Sequence, residues 1–222
     1  PDMASQIVEI VGPAGAGKTT LYHMLGSSSA SIQLGNFPDV RKMSDMPFFL
    51  INGLELLPVI LRLLWKRKTL TRREFAWLCI LHGWSAKLRK EFDQVIVLDQ
   101  GPVYLLAEMQ EFGSEYLRGR DAERLWDDLY VQWAATLDSI IWLDANDTDL
   151  AERIRARRKD HALKYESTET ASVFLSRYRK AYKYVIFCLS KHCSDLRILH
   201  FDTSQKEPHE IAAQLMSEFD VT

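Results

Sequence analysis

The 222-residue chain has three cysteines, ten glycines and no surplus of charge of either sign, and each shortage removes a class of protein. Cys79, Cys188 and Cys193 are too few and too scattered for a disulfide framework, so a reducing, cytoplasmic setting is expected; only an exported chain would pair Cys188 with Cys193. Lys and Arg number 28 against 30 Asp and Glu, a net charge of −2, which lacks the basic footprint of a general nucleic-acid binder. No nucleic-acid polymer is therefore expected as a partner. No internal repeat, low-complexity tract or Gly/Ser/Pro-rich linker divides the chain, and residues 1–222 read as a single domain. The N-terminus shows no basic stretch followed by an apolar one, so no secretory leader is expected, and Met3 after Pro1-Asp2 reads as a native start. An Asn-Lys-x-Asp run, which a guanine-nucleotide switch would carry, does not occur.

Hydrophobic residues are plentiful at 47%, and one stretch of them tests the expectation of a globular protein. Residues 46–65, MPFFLINGLELLPVILRLLW, are nearly long enough to span a bilayer and are followed by Lys66-Arg67-Lys68. Glu55 and Arg62 inside it would each cost about 2.5–3.5 kcal/mol on insertion, and Gly53 and Pro58 break its continuity. No transmembrane span is expected; a buried or groove-lining helix is favoured, with peripheral membrane contact through 46–68 left open.

Short apolar runs alternate with longer helical ones. QIVEIV (6–11), a weak run near Ser31 to Leu34, QVIVLD (94–99), SIIWLD (139–144) and LRILHFD (196–202) read as buried parallel strands. Thr71-Arg72-Arg73-Glu74 is a capping box that opens a helix through about Lys90. Residues 102–112, 121–137, 148–159, 170–190 and 208–219 are also expected to be helical. This alternation predicts an α/β protein whose parallel sheet is covered on both faces. The gap between the second and third strands, 36–93, is expected to hold two helices and to grip a second substrate.

Gly12-Pro-Ala-Gly-Ala-Gly17-Lys18-Thr19 matches G-x-x-x-x-G-K-[ST] in full, with a hydrophobic strand before it and an amphipathic helix after it. Gly12, Ala14, Gly15, Ala16, Gly17, Lys18, Thr19 and Thr20 are the expected nucleotide-binding residues: glycines let backbone N–H groups converge on phosphate oxygens at a helix N-terminus. Lys18 would neutralise charge on the β- and γ-phosphates, and the Thr19 hydroxyl would bind Mg²⁺. Such a loop specifies a nucleoside triphosphate but not its use. Asp99 ends the third strand, where a parallel sheet meets its ligand crevice, and is expected to hold Mg²⁺ or accept a proton. Asp144 ends the fourth strand but is followed by a capping run, Ala145-Asn146-Asp147. Glu152 to Lys159 is arginine-rich; on a continuous helix Arg153 and Arg157 share one face, an arrangement favoured opposite a triphosphate. Arginines on a segment that closes over the nucleotide stabilise a transferred phosphoryl group.

Several segments resemble the thymidylate kinase and deoxynucleoside kinase group of P-loop kinases. LAERIRARRK looks like the group's lid, FLSRYRKAYKYVI (174–186) like the helix after it, VLDQGPVYLLAEMQ like the acid-containing third strand and its helix, and FDTSQKEPHEIAAQLMSEF like the final strand, adenine-side loop and closing helix. The resemblance implies a three-layer α/β/α fold, a five-stranded parallel sheet of order 2-3-1-4-5, a lid over about 150–168, and lid arginines at 153 and 157. It implies transfer of the γ-phosphoryl group of Mg·ATP to a small acceptor, and leaves a homodimer open. Two positions depart from the group's pattern: Gln100 stands where thymidylate kinases follow the acid with arginine, and Pro38-Asp39 where deoxynucleoside kinases carry Glu-Pro.

On the acceptor side, Asp39 is the candidate proton acceptor and Arg41 the candidate anion grip, with His82 and Trp84 mid-helix and Phe48, Phe49, Leu56, Leu57 and Leu64 as core or greasy groove. Cys188, His192 and Cys193 lack a second ligand pair and read as helix packing rather than a metal site. The two departures keep a kinase for a non-nucleotide hydroxyl open, as a sugar, antibiotic or glycan precursor. A nucleotide-gated binding protein without turnover is the reading from another class.

Overall fold

The structure, a computed structural model, describes residues 6–91, 94–157 and 162–219. Five parallel strands, β1 (Gln6–Val11), β2 (Ile32–Gly35), β3 (Val95–Asp99), β4 (Ser139–Asp144) and β5 (Arg197–Asp202), lie in the order β2-β3-β1-β4-β5. That is the expected sheet. Strand alternation sends Ile7, Val11, Ile96, Leu98, Ile140 and Trp142 into one apolar layer, and Val8, Ile10, Val95, Val97, Ile141 and Leu143 into the other. Helices α1 (Lys18–Ser28), α8 (Asp147–Ala156) and α10 (Pro208–Glu218) contribute to the second layer. The first is covered by α4 (Arg72–Glu91), α5 (Pro102–Phe112), α7 (Glu123–Ala134) and much of α9 (Thr168–His192), with the single turn α6 (Glu115–Arg118) between α5 and α7. The result is a three-layer α/β/α architecture. Its registers, Ile10 opposite Asp99 and Asp144 opposite Asp202, put the carboxyl ends of the strands along one edge.

Local chemistry sets the helix ends. Thr71 and Glu74 form the expected capping box, the Glu74 N–H donating to Thr71 Oγ1 at 3.2 Å and the Thr71 N–H to Glu74 Oε2 at 2.7 Å. Asn146, in the run after Asp144, caps α8 by accepting from the Asp149 N–H.

Three expectations are corrected. The insertion after β2 holds three α-helices rather than two, because residues 46–65 break into α2 (Met46–Glu55) and α3 (Leu57–Trp65), bent 55° at Leu56. Pro58 explains the break: it has no N–H for the Leu54 carbonyl, and its ring crowds that oxygen. Nor is this stretch buried along its length, although Ile60, Leu63 and Leu64 line a groove. Phe49, Asn52, Leu56 and Leu63 turn inward, while Leu50, Ile51, Leu54, Leu57, Leu61, Leu64 and Trp65 face outward. The third concerns α8, which stops at Ala156. Arg157 is extended, with ψ 141°, so Arg153 and Arg157 do not share a helical face. Arg158 and Lys159, within the expected lid, and Met3 at the expected start lie outside the described residues.

No single helix among the described residues is long and apolar enough to cross a membrane; α2 and α3 reach that length only as a bent pair.

Candidate active site

The loop between β1 and α1 is built so that only glycine fits its tightest points. Gly12 has φ 147°, and a Cβ there would run into the Leu143 carbonyl of the neighbouring strand. Gly15, at φ 91°, leaves only 2.8 Å between such a Cβ and the Leu150 carbonyl oxygen. These approaches press the loop against β4 and α8. Helix α1 then begins at Lys18 with no side chain capping its amides and no acid in its first turn. Its free N–H groups and positive dipole end are open to an anion.

Three side chains complete this end. Lys18 Nζ turns back to donate to the carbonyls of Gly12 (2.7 Å) and Pro13 (3.0 Å). Burial pushes its pKa down to about 8, against the pull of Asp99, while Arg157 adds to the lowering. Thr19 Oγ1 donates to Asp99 Oδ2 at 2.9 Å; Asp99 Oδ1 is buried and has no hydrogen-bond partner among the described residues. A hydroxyl beside a carboxylate with an unused buried oxygen is a donor set suited to a hard divalent cation, with further oxygens coming from phosphate and water. No cluster of three or more His, Cys, Asp or Glu with metal-binding geometry occurs among the described residues.

Glu9 supports the turn after Asp99. Fully buried on β1, its carboxyl accepts from the N–H groups of Val103 (2.8 Å) and Tyr104 (3.0 Å) at the start of α5. Gly101 makes room for it: a Cβ there would sit 2.6 Å from the Glu9 carboxyl carbon. Burial, only partly offset by those amides, drives the Glu9 pKa up to about 8. Gln100, between Asp99 and Gly101, is held at φ 67°, a left-handed conformation costly for a side-chain-bearing residue.

Two cavities meet at the loop. One, about 460 Å³, is lined by Gly12, Ala14, Lys18, Thr19, Thr20, Asp99, Gln100 and Arg157, with a wall of Tyr104, Phe174, Tyr178 and Tyr182. The other, about 440 Å³, lies across Gly15, Ala16, Gly17 and Thr20 and reaches Arg153, Thr203, Glu207 and Pro208. Every loop residue expected from the sequence thus lines one cavity or the other. Arg157 lines both, whereas Arg153 lines only the second, where its guanidinium donates to Thr203 Oγ1 (2.9 Å) and the Thr203 carbonyl (2.8 Å). The arginine pair therefore divides, because α8 ends before Arg157.

Asp39 and Arg41 lie elsewhere. They line a neighbouring groove with Phe37, Lys42, Arg72, Arg73 and Trp77, and Arg73 lies 4.6 Å over the Trp77 ring. Asp39 Oδ1 accepts from the Arg41 N–H at 2.9 Å, closing a local turn. Asp39 is not among the residues lining the phosphate-loop cavity; the carboxylate that lines it is Asp99. His82 faces outward to Glu55 at 2.8 Å, and Trp84 is core.

Sequence reasoning missed the aromatic wall, Glu9 and Arg179. Phe174, Tyr178 and Tyr182 recur every fourth residue along α9, a signal present in the sequence. Glu9 is a lone acid within an otherwise apolar strand, which marks a buried carboxyl with a dedicated partner. Arg179, one turn before Lys183 on α9, donates to both oxygens of Asp144, to Asp147 Oδ1 at 2.6 Å and to the Ala145 carbonyl. It ties the end of β4 and the start of α8 to the helix bearing the aromatic wall.

No protein-family model matches the chain, and no curated protein matches it in sequence. Solved structures do. The chain is similar to a thymidylate kinase from Candida albicans, at 16% identity and TM-score 0.57, over 98% of this chain and 92% of that one. It is similar to a deoxyadenosine kinase from M. mycoides with bound dATP, at 15% identity and TM-score 0.53, over 96% and 98%. A third is the tunicamycin resistance protein of Deinococcus radiodurans, at 17% identity and TM-score 0.50, over 98% and 97%. At these identities the likeness establishes the fold shared with those proteins.

Proposed function

We propose that the protein is a P-loop phosphotransferase that moves the γ-phosphoryl group of ATP to a small anionic acceptor. One observation carries this reading: an uncapped glycine loop presents Lys18, Thr19 and Asp99 to a cavity that Arg157 joins to a second cavity on the far side of the loop. A nucleoside triphosphate laid along the loop would put its base end toward Arg153, Thr203 and Glu207 and its γ-phosphate toward Asp99 and the aromatic wall. The solved structures of deoxyadenosine kinase from M. mycoides with bound dATP and with bound dCTP support a nucleoside triphosphate in this fold.

Lys18 gives up the Gly12 and Pro13 carbonyls for phosphate oxygens, and the first-turn amides of α1 bind the rest of the chain of phosphates. Thr19 and Asp99 would hold Mg²⁺, which supplies charge neutralisation on the phosphates when bound. Arg157 stabilises charge on the group in flight. The acceptor oxygen forms its bond to the γ-phosphorus as the bond from that phosphorus to the bridging oxygen breaks and ADP leaves. The proton of a hydroxyl acceptor passes to an oxygen of the transferred phosphoryl group, since a loose transition state asks little of a protein base and Asp99 is engaged with Thr19 and the cation. The groove carrying Arg41, Lys42, Arg72 and Arg73 beside Trp77 and Phe37 favours an acceptor with both an anionic group and a flat or apolar body. Asp39 serves there by orienting Arg41.

Incubation with ATP and a panel of nucleosides, nucleoside monophosphates, sugars and sugar phosphates tests the assignment. Multiple-turnover ADP release should depend on one acceptor, and removing its anionic group should lower kcat/KM by about 10²-fold or more. Saturable ATP binding with no acceptor-dependent release would refute the assignment and leave a nucleotide-gated binding protein.

A further inference from the structure

We propose that the outward face of α2 and α3 docks this protein on an anionic lipid surface. Exposed apolar residues follow helical spacing on both elements: Met46, Leu50 and Leu54 with Ile51 on α2, and Leu57, Leu61 and Leu64 with Trp65 on α3. Leu54 is 70% exposed, Leu64 63% and Trp65 90%, values that a water-facing helix does not repay. The short helices leave their inward contacts to Phe49, Asn52, Leu56 and Leu63. An apolar hollow of about 330 Å³, lined by Ile60, Leu63, Leu64, Leu70 and Phe75, opens between α3 and α4 with Lys68 at its edge.

Charge selects the occupant. Between Glu55 and Thr71 the sequence places four cations, Arg62, Lys66, Arg67 and Lys68, and no acid, in a chain whose net charge is −2. Lys66 pairs with Asp121 and Lys68 with Glu115, both at solvent-exposed positions, so the cluster stays positive overall. Apolar side chains with a tryptophan on one face and cations at one end are the pattern of a helix lying at a membrane interface. Each basic residue within a Debye length of an anionic leaflet adds an attraction that weakens as salt is raised. A second copy of this chain fits less well, since a two-fold contact centred on α3 would bring the two cationic clusters together. The bend at Leu56 lets both short helices lie along such a surface without either crossing it.

Co-sedimentation with phosphatidylcholine vesicles containing phosphatidylglycerol tests this directly. The full chain should pellet with those vesicles, far less with pure phosphatidylcholine, and less as salt is raised. Leu61→Ser combined with Trp65→Ser should weaken binding by more than about tenfold while retaining the helical circular dichroism, because both side chains are exposed. Lys18→Met should pellet like the parent, so failure of the phosphotransferase assignment would leave this result standing. A parent chain that stays in the supernatant, a double variant that pellets equally well, or a parent dimer that the double variant dissociates would each overturn the proposal.

Discussion

Lys18→Met should abolish measurable phosphoryl transfer, a loss of about 10³-fold or more, while raising the melting temperature of the nucleotide-free protein at neutral pH. The first effect follows from position: the ammonium stands at the loop, in the cavity where the phosphates of the proposed donor would lie. The second follows from burial. The folded-state pKa of about 8 lies below the ordinary 10.5, so folding disfavours the charged form. That cost is fully present below pH 8 and is relieved as pH rises from about 8 toward 10.5, since the unfolded chain binds the proton more tightly there. Allowing for water in the open cavity and for the two carbonyl bonds, the methionine, which keeps the apolar stem, should gain on the order of 2 kcal/mol, or several degrees. The parent's affinity for ATP should accordingly fall by up to about tenfold per pH unit above 8, and the variant's should not. Thermal melts and binding isotherms at pH 7 and pH 9 would expose an error in either half: a destabilised variant, or one that still turns over, contradicts the account.

The second large effect separates the two arginines. Arg157→Ala should lower kcat by about 10²–10³-fold, because its guanidinium lines the cavity where the γ-phosphate would lie. Arg153→Ala should leave kcat within a few-fold and raise the KM for ATP by about tenfold, because Arg153 braces Thr203 beside the far cavity. Steady-state kinetics on both variants decide it. Equal losses in kcat would mean the two side chains act as a pair after all, as a continuous helix would have arranged them.

Those arginines also show where the amino-acid sequence stops being informative. Periodicity located β1, β4 and α5 to the residue, because buried parallel strands and Pro-initiated helices carry unambiguous local chemistry. The phosphate loop was legible for the same reason, since Gly12 and Gly15 are dictated by carbonyls of β4 and α8 that a Cβ would meet, and Gly17 by its positive φ. The end of α8 was not: alanine and arginine both favour helix, so nothing in the local sequence marks a stop at Ala156. The apolar run 46–65 was legible only in part, as groove-lining but not as two helices with an exposed face, because hydrophobicity alone says that a segment avoids water, not which surface satisfies it. The placement of Gln100 and Asp39 depends on the turn after β3 and the groove beside α4, which no local pattern specifies.

A crystal structure with a non-hydrolysable ATP analogue and Mg²⁺ tests the central physical claim most directly. The account predicts that Lys18 Nζ leaves the carbonyls of Gly12 and Pro13 for phosphate oxygens, with Thr19 and Asp99 flanking the cation, Arg157 against the γ-phosphate and the base beside Arg153 and Thr203. An analogue bound away from the loop, or Arg157 turned from the phosphates in the occupied site, would contradict it.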